Sequence, residues 1–242
     1  MELNELLYTG KSKQIFATED PARVLVRFTD EATAFNARKR AKVADKGRIN
    51  CAISARLFEE VGRAGVRHHL VRQLSPTDLL CERVEIVPVE VVVRSVVAGS
   101  FARRYGLTEG TRLPRPVVEW FYKSDALDDP LIGDDALLAL GFAEPWELAF
   151  MTQAALTTHR ALEQLWDRLG VDLIDAKYEF GRQEGRLLLA DELTPDGSRL
   201  WEQGSGRPLD KDVFRKDLAD LSETYRQLHA RLLGGPQAAG GA

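Results

Sequence analysis

The chain has 242 residues, of which 44% are hydrophobic and 29% charged, as in an ordinary globular protein that is large enough to bury a core. Its net charge of −4 provides no overall positive field, which argues against non-specific binding of nucleic acid. Cys51 and Cys81 lack C-x-x-C spacing, and neither a signal sequence nor a membrane-length apolar run is visible, so we expect a cytoplasmic protein with reduced thiols and no membrane partner.

The first part of the chain has the pattern of a small strand-rich unit that carries one helix. Residues 6–16 and 23–28 alternate apolar and polar side chains, as half-buried strands do, and a turn cluster separates them. Residues 50–64 have apolar side chains at helical spacing and end near two glycines, which predicts a helix. The Val-rich residues 85–97 predict a buried strand that begins after a proline hinge.

The second part of the chain mixes helices and strands. Amphipathic helices are predicted over residues 146–169 and 212–233, with a β-hairpin between them. Helices and strands in blocks, without regular βαβ alternation, predict the α+β class. We therefore place two domains at residues 1–85 and 86–233, and we expect the Gly/Ala/Pro-rich tail, 234–242, to be disordered.

The predicted hairpin, residues 173–193, carries the most informative group of charged side chains. Because side chains alternate along a strand, Asp175, Lys177 and Glu179 share one face, and Asp191 follows in the second strand. Carboxylates that face each other repel unless a cation lies between them, and Mg²⁺ is bound by one or two carboxylates plus substrate phosphates. A solvated polar face on an exposed hairpin is an equally good interpretation of the spacing alone.

The pairing within this hairpin decides which carboxylates meet. A glycine-bounded turn centred on Gln183 would place Asp175 opposite Asp191 and Glu179 opposite Leu187. In that register the three carboxylates and one lysine form a single patch.

A lysine pair near the N-terminus is suited to phosphate. Gly10 would let backbone N–H groups approach a phosphate, and Lys11 and Lys13, two residues apart, point the same way from a strand. The segment lacks the G-x-x-x-x-G-K-[ST] spacing of a Walker A loop. Taken alone, a solvated surface turn is the better interpretation.

An arginine inside the Val-rich strand is the next candidate. Arg94 is costly to bury without a partner, and Ser100 follows it in a glycine turn that offers a hydroxyl and backbone N–H groups. The pattern fits a phosphate cradle and, equally, an ion pair between Arg94 and a structural carboxylate such as Glu90.

Further basic groups follow in the second part of the chain. The turn after Asp191 would aim Arg199 outward, and Lys211 and Arg215 share one face at the start of the last helix. Lys123 precedes an acidic loop that contains Asp129, where a solvated loop is the commoner interpretation. Because no histidine has metal-ligand spacing, we interpret all four as structural.

In this order the clusters resemble the SAICAR synthetase family, whose members are phosphoribosylaminoimidazole-succinocarboxamide synthases. Two long segments, 87–100 and 173–181, carry most of the resemblance, which spans residues 6–233. Shorter segments that also look like the family are Gly10 to Lys13, Lys46-Gly47 with Asn50, Lys123 to Asp125 with Asp129-Pro130, and Asp196 to Trp201.

The resemblance implies a fold and a reaction. The fold would be a small β-rich N-terminal domain over a larger α+β domain, with an ATP cleft between them that resembles ATP-grasp enzymes and protein kinases. The reaction would join L-aspartate to the carboxylate of carboxyaminoimidazole ribonucleotide, with ATP as co-substrate and Mg²⁺ as cofactor, through an acyl phosphate. We also expect a homodimer or a higher homo-oligomer.

The resemblance also implies roles for individual residues. It assigns catalysis to Asp175 and Lys177; ATP binding to Lys11, Lys13, Lys123 and Glu179; substrate binding to Arg94, Ser100, Arg199, Lys211, Arg215 and Asp129; and Mg²⁺ to Glu179 and Asp191. A small-molecule kinase and a non-catalytic nucleotide-binding module are the two alternatives. The kinase would not need aspartate, and the module would be expected to lack one of the key lysines or carboxylates.

Overall fold

The structure is a computed structural model that describes residues 5–34, 39–216 and 218–234. All of the predicted disordered tail except Gly234 lies outside the described residues. No helix in the described ranges is both long enough and apolar enough to cross a membrane.

The first part of the chain forms an antiparallel sheet of five strands in the order β1-β2-β3-β7-β6. Its strands are β1 (Leu6–Thr9), β2 (Lys13–Ala17), β3 (Arg23–Phe28), β6 (Leu70–Gln73) and β7 (Asp78–Glu82). A separate two-stranded hairpin consists of β4 (Glu31–Ala34) and β5 (Lys39–Lys42). The strand-rich beginning predicted from the sequence is therefore present.

The second sheet has seven strands and is built around one long strand, β12. Its core order is β11-β10-β9-β12-β13, and both β8 and β14 also pair with β12. The strands are β8 (Glu85–Ile86), β9 (Val89–Val96), β10 (Arg112–Tyr122), β11 (Leu131–Ile132), β12 (Val171–Gln183), β13 (Arg186–Ala190) and β14 (Ser198–Glu202). Because β12 borders several strands, its polar side chains meet groups from distant parts of the chain.

The helices lie in blocks between the strands, so the α+β prediction is confirmed. They are α1 (Lys46–Arg63), α2 (Gly99–Tyr105), α3 (Asp134–Ala139), α4 (Pro145–Asp167), α5 (Asp212–Arg215) and α6 (Leu221–Leu233), with a 3₁₀ turn at Asp125–Leu127. The single helix predicted over 212–233 is wrong. A new helix starts after Asp220, whose side chain accepts the Ser222 N–H and caps it.

The register predicted for the β12–β13 hairpin is also wrong. Glu184 and Gly185 form a two-residue turn with φ of 48° and 74°, as a tight hairpin turn requires, so Glu179 pairs with Ala190. Asp175 pairs with Arg199 of β14 and Arg94 of β9 instead of with Asp191. The basic residues predicted around the hairpin therefore lie directly beside its carboxylates.

Helix α1 packs into two hydrophobic cores. Ile49, Ile53 and Leu57, at four-residue spacing, enter the larger core with the second sheet and the helices α4 and α6. Cys51 and Ala55, on the opposite face, enter a smaller core under the first sheet. The helix thus joins the two sheets, although it belongs to the first part of the sequence.

Candidate active site

Two adjoining cavities lie between the loop that links β1 to β2 and the polar face of β12. The larger has a volume of about 770 Å³ and the smaller about 330 Å³. Both are lined by charged side chains, and they share Lys11, Glu90, Lys177, Asp196 and Lys211. A ligand in one cavity would therefore meet a ligand in the other at these residues.

Lysines and carboxylates alternate along the wall of the larger cavity. Lys177 donates hydrogen bonds from Nζ to Glu179 Oε1 at 2.7 Å and to Glu90 Oε1 at 2.8 Å. Lys123 contacts the other oxygen of Glu179, and Lys13 contacts Asp191. Strand alternation brings Lys177 and Glu179 to this wall, as predicted.

These contacts keep the groups charged in spite of their burial. Burial would lower the pKa of Lys13, but the carboxylates of Asp191 and Glu192 raise it above its ordinary value. Burial would likewise raise the pKa of Asp191, and Lys13 and Lys177 hold it well below its ordinary value. The Glu90 pKa is raised, chiefly by burial, so this carboxylate takes up a proton more readily than an exposed glutamate.

The smaller cavity is built around two arginines that share one carboxylate. Arg94 Nη1 donates to Asp175 Oδ2 at 2.6 Å, and Arg199 Nη1 donates to the same oxygen at 2.8 Å. The other edge of Arg94 donates from Nε to Glu119 Oε2 at 2.6 Å, and its Nη2 lies 3.4 Å from the Ser100 hydroxyl. The partner of Arg94 is therefore not Glu90.

The alternation of charge continues beyond Arg199 to α5. Arg199 Nε donates to Asp212 Oδ2 at 3.3 Å, and Arg215 Nη1 donates to Asp212 Oδ1 at 2.6 Å. The guanidinium of Arg199 also lies against Gly99, where an added Cβ would be 2.7 Å from its Cζ atom. The glycine turn therefore leaves space for the arginine.

Asp196 lies at the junction of the two cavities and is held on both sides. Lys46 Nζ, from the first turn of α1, donates to Asp196 Oδ2 at 2.6 Å, and the Tyr225 hydroxyl of α6 donates to Oδ1 at 2.5 Å. Burial would raise the pKa of Asp196, but Lys46 and Lys211 lower it below its ordinary value. The carboxylate is thus ionised and fixed in place by two helices.

A third cavity of about 180 Å³ is mostly apolar and meets the larger one at Lys13 and Asp191. Its walls include Ile15, Val24 and Val26 of the first sheet, and the linker at residues 82–84 closes it from the other side. No sequence signal marks this cavity, because ordinary core-type strand residues form it.

Comparisons with known proteins show the family of the chain. The family model described as SAICAR synthetase matches residues 6–232. The chain belongs to the SAICAR synthetase family. A phosphoribosylaminoimidazole-succinocarboxamide synthase from Anoxybacillus flavithermus is 46% identical over 97% of this chain and 98% of its own length. One from Clostridium acetobutylicum is 44% identical over 97% of this chain and 100% of its own.

Solved SAICAR synthetase structures share the fold. The synthase from Ehrlichia chaffeensis superposes with a TM-score of 0.92 at 35% identity, covering 96% of this chain and 100% of that one. A SAICAR synthetase (Type-2) in complex with ADP also superposes with a TM-score of 0.92, at 37% identity, covering 97% of this chain and 100% of its own. The resemblance inferred from the two long motifs and the SAICAR synthetase-like fold are both confirmed.

The structure brings together the residues that the family resemblance had assigned. All of them except Ser100 line one or both of the two charged cavities, and Ser100 contacts Arg94. Glu119, Lys46 and Asp196 also belong to the site, although no role was predicted for them from the sequence. Lys46 and Asp196 left a signal, because both stand in segments that resemble SAICAR synthetases, and Glu119 left none.

The donor atoms fit a magnesium ion that is completed by substrate. Within the described ranges no three His, Cys, Asp or Glu side chains form a metal-binding group. Glu179 and Asp191 nevertheless line the same cavity, and Glu192 beside them has a buried Oε2 without a hydrogen-bond partner. Mg²⁺ is commonly held by one or two carboxylates together with phosphate oxygens, and the two carboxylates of this cavity match the protein part of such a set.

Proposed function

We propose that the larger cavity binds ATP, that the smaller binds the ribonucleotide, and that the reaction occurs where they join. The chain is an ATP-dependent ligase that joins L-aspartate to carboxyaminoimidazole ribonucleotide in purine biosynthesis, as its family does. The observation that carries the proposal is the wall shared by the two cavities, which includes Lys11, Lys177 and Lys211. Donor and acceptor would meet at these cations.

The nucleotide would lie across the larger and the apolar cavities. An adenine ring is flat and mostly apolar, so it suits the cavity lined by Ile15 and Val24, with its phosphates directed past Lys13. Lys11 and Lys123 would add positive charge along the triphosphate. Asp129 accepts the Ser124 N–H at 2.8 Å and would hold the loop that carries Lys123 against the ligand.

Glu179 and Asp191 would hold Mg²⁺ in the same cavity. When bound, the ion would neutralise charge on the phosphate oxygens and hold the terminal phosphoryl group for attack. Lys123 and Lys177 already flank Glu179 and hold its carboxylate in a fixed orientation.

The smaller cavity would hold the phosphate of the ribonucleotide. Arg94 and Arg199 are fixed by Asp175 with their guanidinium groups close together, and Ser100 adds a hydroxyl beside Arg94. Lys211 and Arg215 line the same space and would extend the positive field. We propose that Asp175 orients the arginines, since Arg94 and Arg199 already occupy both its oxygens.

A carboxylate is a poor electrophile, which is the chemical reason for ATP. The ribonucleotide carboxylate would attack the γ-phosphoryl group beside Lys11 and Lys177, releasing ADP and giving an acyl phosphate. The aspartate amine would then displace phosphate. Glu90 is placed to take the amine proton, because it lines both cavities and its pKa is raised.

Release of ADP measured with each substrate omitted in turn tests this function. We expect continued ADP formation, over many turnovers, only when ATP, the ribonucleotide and L-aspartate are all present, with one SAICAR produced per ADP. ADP formation that ignores aspartate would favour the small-molecule kinase, and tight ADP binding without turnover would favour a non-catalytic module. We further propose that the enzyme is cytoplasmic and that it is a homo-oligomer. Light scattering of the purified protein would test the oligomeric state.

A further inference from the structure

Asp191 adopts a backbone conformation that a non-glycine residue rarely holds unaided. Its φ is 65°, in the left-handed region, which L-residues rarely adopt for steric reasons. The residue stands immediately after β13, which ends at Ala190. The turn of the backbone there directs the carboxylate to Lys13 and into the larger cavity. Something must hold this conformation for the carboxylate to stay in place.

His69 contacts the backbone at that position. Its Nε2 lies 3.0 Å from the carbonyl oxygen of Asp191. A carbonyl only accepts, so the ring must donate from Nε2–H.

The imidazole ring is itself fixed from several sides. The His69 backbone N–H donates to Leu189 O at 2.9 Å, and its carbonyl accepts from Glu82 N at 2.7 Å. The ring packs on Phe58, with centroids 5.3 Å apart, and the residue is 5% exposed. His69 thus joins the first sheet, α1 and the end of β13 at the residue where the chain turns.

We propose that His69 is a positioning residue, whose N–H holds the left-handed turn at Asp191 and thereby aims the carboxylate at the magnesium–nucleotide complex. The inference rests on the proposed function of the larger cavity. It differs from a packing role because it depends on one donor atom in the ring. Removing such an outer hydrogen bond to a metal-binding group typically costs 10–100-fold in metal affinity or activity.

The sequence offers a matched pair of substitutions and a matched control. Gln and Met have similar length and volume, but only Gln carries an N–H donor at its end, so His69→Gln and His69→Met differ in the atom at issue. His68 packs on the same Phe58 ring at 5.2 Å, whereas the hydrogen bond to the Asp191 carbonyl comes from His69, so His68→Met controls for loss of ring packing.

Calorimetric titration of ADP, with Mg²⁺ and with EDTA, and steady-state kinetics measure the effect. Because His69 also lines the apolar cavity, we compare its two variants: His69→Met should bind ADP about 10–100-fold more weakly than His69→Gln with Mg²⁺, and less than about threefold more weakly in EDTA. His69→Gln and His68→Met should stay within about threefold of the wild type in both conditions. The half-saturating Mg²⁺ concentration for turnover should rise in His69→Met alone.

Equal losses in the Gln and Met variants would overturn the inference, as would a Met variant that binds ADP with Mg²⁺ like the wild type. A Met variant that loses Mg²⁺-independent affinity together with its resistance to urea would show a merely structural role and would also overturn it. If the wild type itself failed to bind ADP, the nucleotide cavity would be wrong and the inference would fall with it. Normal wild-type binding with an unaffected His69→Met variant would overturn this inference only.

Discussion

Single charged residues in the smaller cavity are held by partners of opposite sign from other strands. Asp175 of β12 joins Arg94 of β9 to Arg199 of β14, and Glu119 of β10 holds the far edge of Arg94. Each arginine is therefore oriented before any substrate arrives, which limits the rotamer entropy lost on binding. A phosphate group would meet donors that are already in place.

Gly99 supplies the space that Arg199 needs, and replacing it tests the orientation of that arginine. In Gly99→Ala the new methyl would lie 2.7 Å from Arg199 Cζ, at a φ of +54° that disfavours any side chain. We expect the KM for the ribonucleotide to rise about tenfold or more, because a misplaced guanidinium loses its bidentate contact with phosphate. Steady-state kinetics with the ribonucleotide as the varied substrate measure this.

Gly106→Ala is the matched control for that substitution. Gly106 has a similar φ of +63°, and an added Cβ would meet nothing within 4 Å. Both variants should lose about 1 kcal/mol of unfolding free energy from backbone strain, but only Gly99→Ala should change the KM. Equal kinetic effects would mean that backbone strain, not Arg199, limits substrate binding.

Asp191→Asn removes one of the two carboxylates proposed to hold Mg²⁺. We expect turnover to fall at least about 10³-fold with the fold retained. Loss of one carboxylate charge weakens the binding of Mg²⁺ and, through it, the binding of the phosphates. The control is Asp78→Asn, which removes a buried carboxylate that pairs with Arg27 outside the charged cavities. Near-normal turnover of Asp191→Asn, with circular dichroism unchanged, would remove Asp191 from the metal site.

The sequence identified the charged residues of the site better than it identified their partners. Arg94 and Lys177 stand out because a charge in an apolar strand demands a function or a counter-ion. Glu119 does not stand out, and Lys46 stands out only as part of a segment that resembles the family, because nothing local shows that these side chains are buried or what they face. Those facts depend on strand pairing between segments far apart in the chain, as for Arg94 and Glu119.

At the scale of whole elements, α1 and α6 hold Asp196 between them. Lys46 begins α1, and its side chain is fully buried against Asp196, while Tyr225 reaches the same carboxylate from α6. Polar side chains of α1 and α6 therefore form the junction of the two cavities, while the apolar side chains of the same helices pack in the larger core. Packing of α1 on α6 supports the site through this contact.

Replacement of Lys46 should show a pH-dependent loss of stability. The Asp196 pKa is lower in the folded protein than in the unfolded chain, where it is about 3.9. The ionised carboxylate therefore contributes its full stabilisation to the unfolding free energy above about pH 3.9, and this stabilisation is lost as the pH falls through the pKa of the folded state. In Lys46→Met the buried carboxylate loses its main cation and its pKa rises. We expect the unfolding free energy of the variant at pH 7 to be roughly 3–5 kcal/mol below that of the wild type. The difference should shrink towards pH 4, where Asp196 of the variant is protonated. Urea unfolding at several pH values measures it.

Arg48→Met is the control for Lys46→Met, because Arg48 forms an exposed pair with Asp45 in the same turn of α1. Its effect should stay within about 0.5 kcal/mol at every pH. A deficit in Lys46→Met that does not change with pH would mean that lost packing, not the stranded carboxylate, is responsible.

The type of an element, helix or strand, could be predicted where the hydrophobic pattern of the sequence alone decides it. The amphipathic pattern of α4 and the alternation along β12 gave the right type of structure, and the end residues differ by a few positions. The predicted hairpin register is wrong because Glu184 occupies the turn with a positive φ, which the positions of the glycines did not indicate. The prediction of one helix over 212–233 is wrong because Asp220, inside that range, caps the start of a separate helix, α6.

For the whole molecule, the proposed nucleotide site lies between the two sheets, so ligand binding should stabilise both together. At a concentration 100 times its Kd, MgADP should add about 2.7 kcal/mol. For a chain of this size that corresponds to a rise in Tm of about 5–10 °C. We expect one calorimetric transition with and without ligand, because α1 belongs to both cores.

Asp191→Asn serves as the control for the thermal shift and should lose the part that depends on Mg²⁺. Two transitions, of which only one moves with ligand, would show that the sheets unfold independently. That result would favour the two domains predicted at 1–85 and 86–233, a division that remains a prediction.

The position of α1 has a consequence for the chain when it is cut. The linker at residues 82–84 joins the sheets in sequence, but Ile53 and Leu57 of α1 lie in the larger core with residues from beyond that linker. A protease that nicks the linker would break a peptide bond without separating the pieces. The two fragments would stay associated through α1, and each would need the other in order to refold.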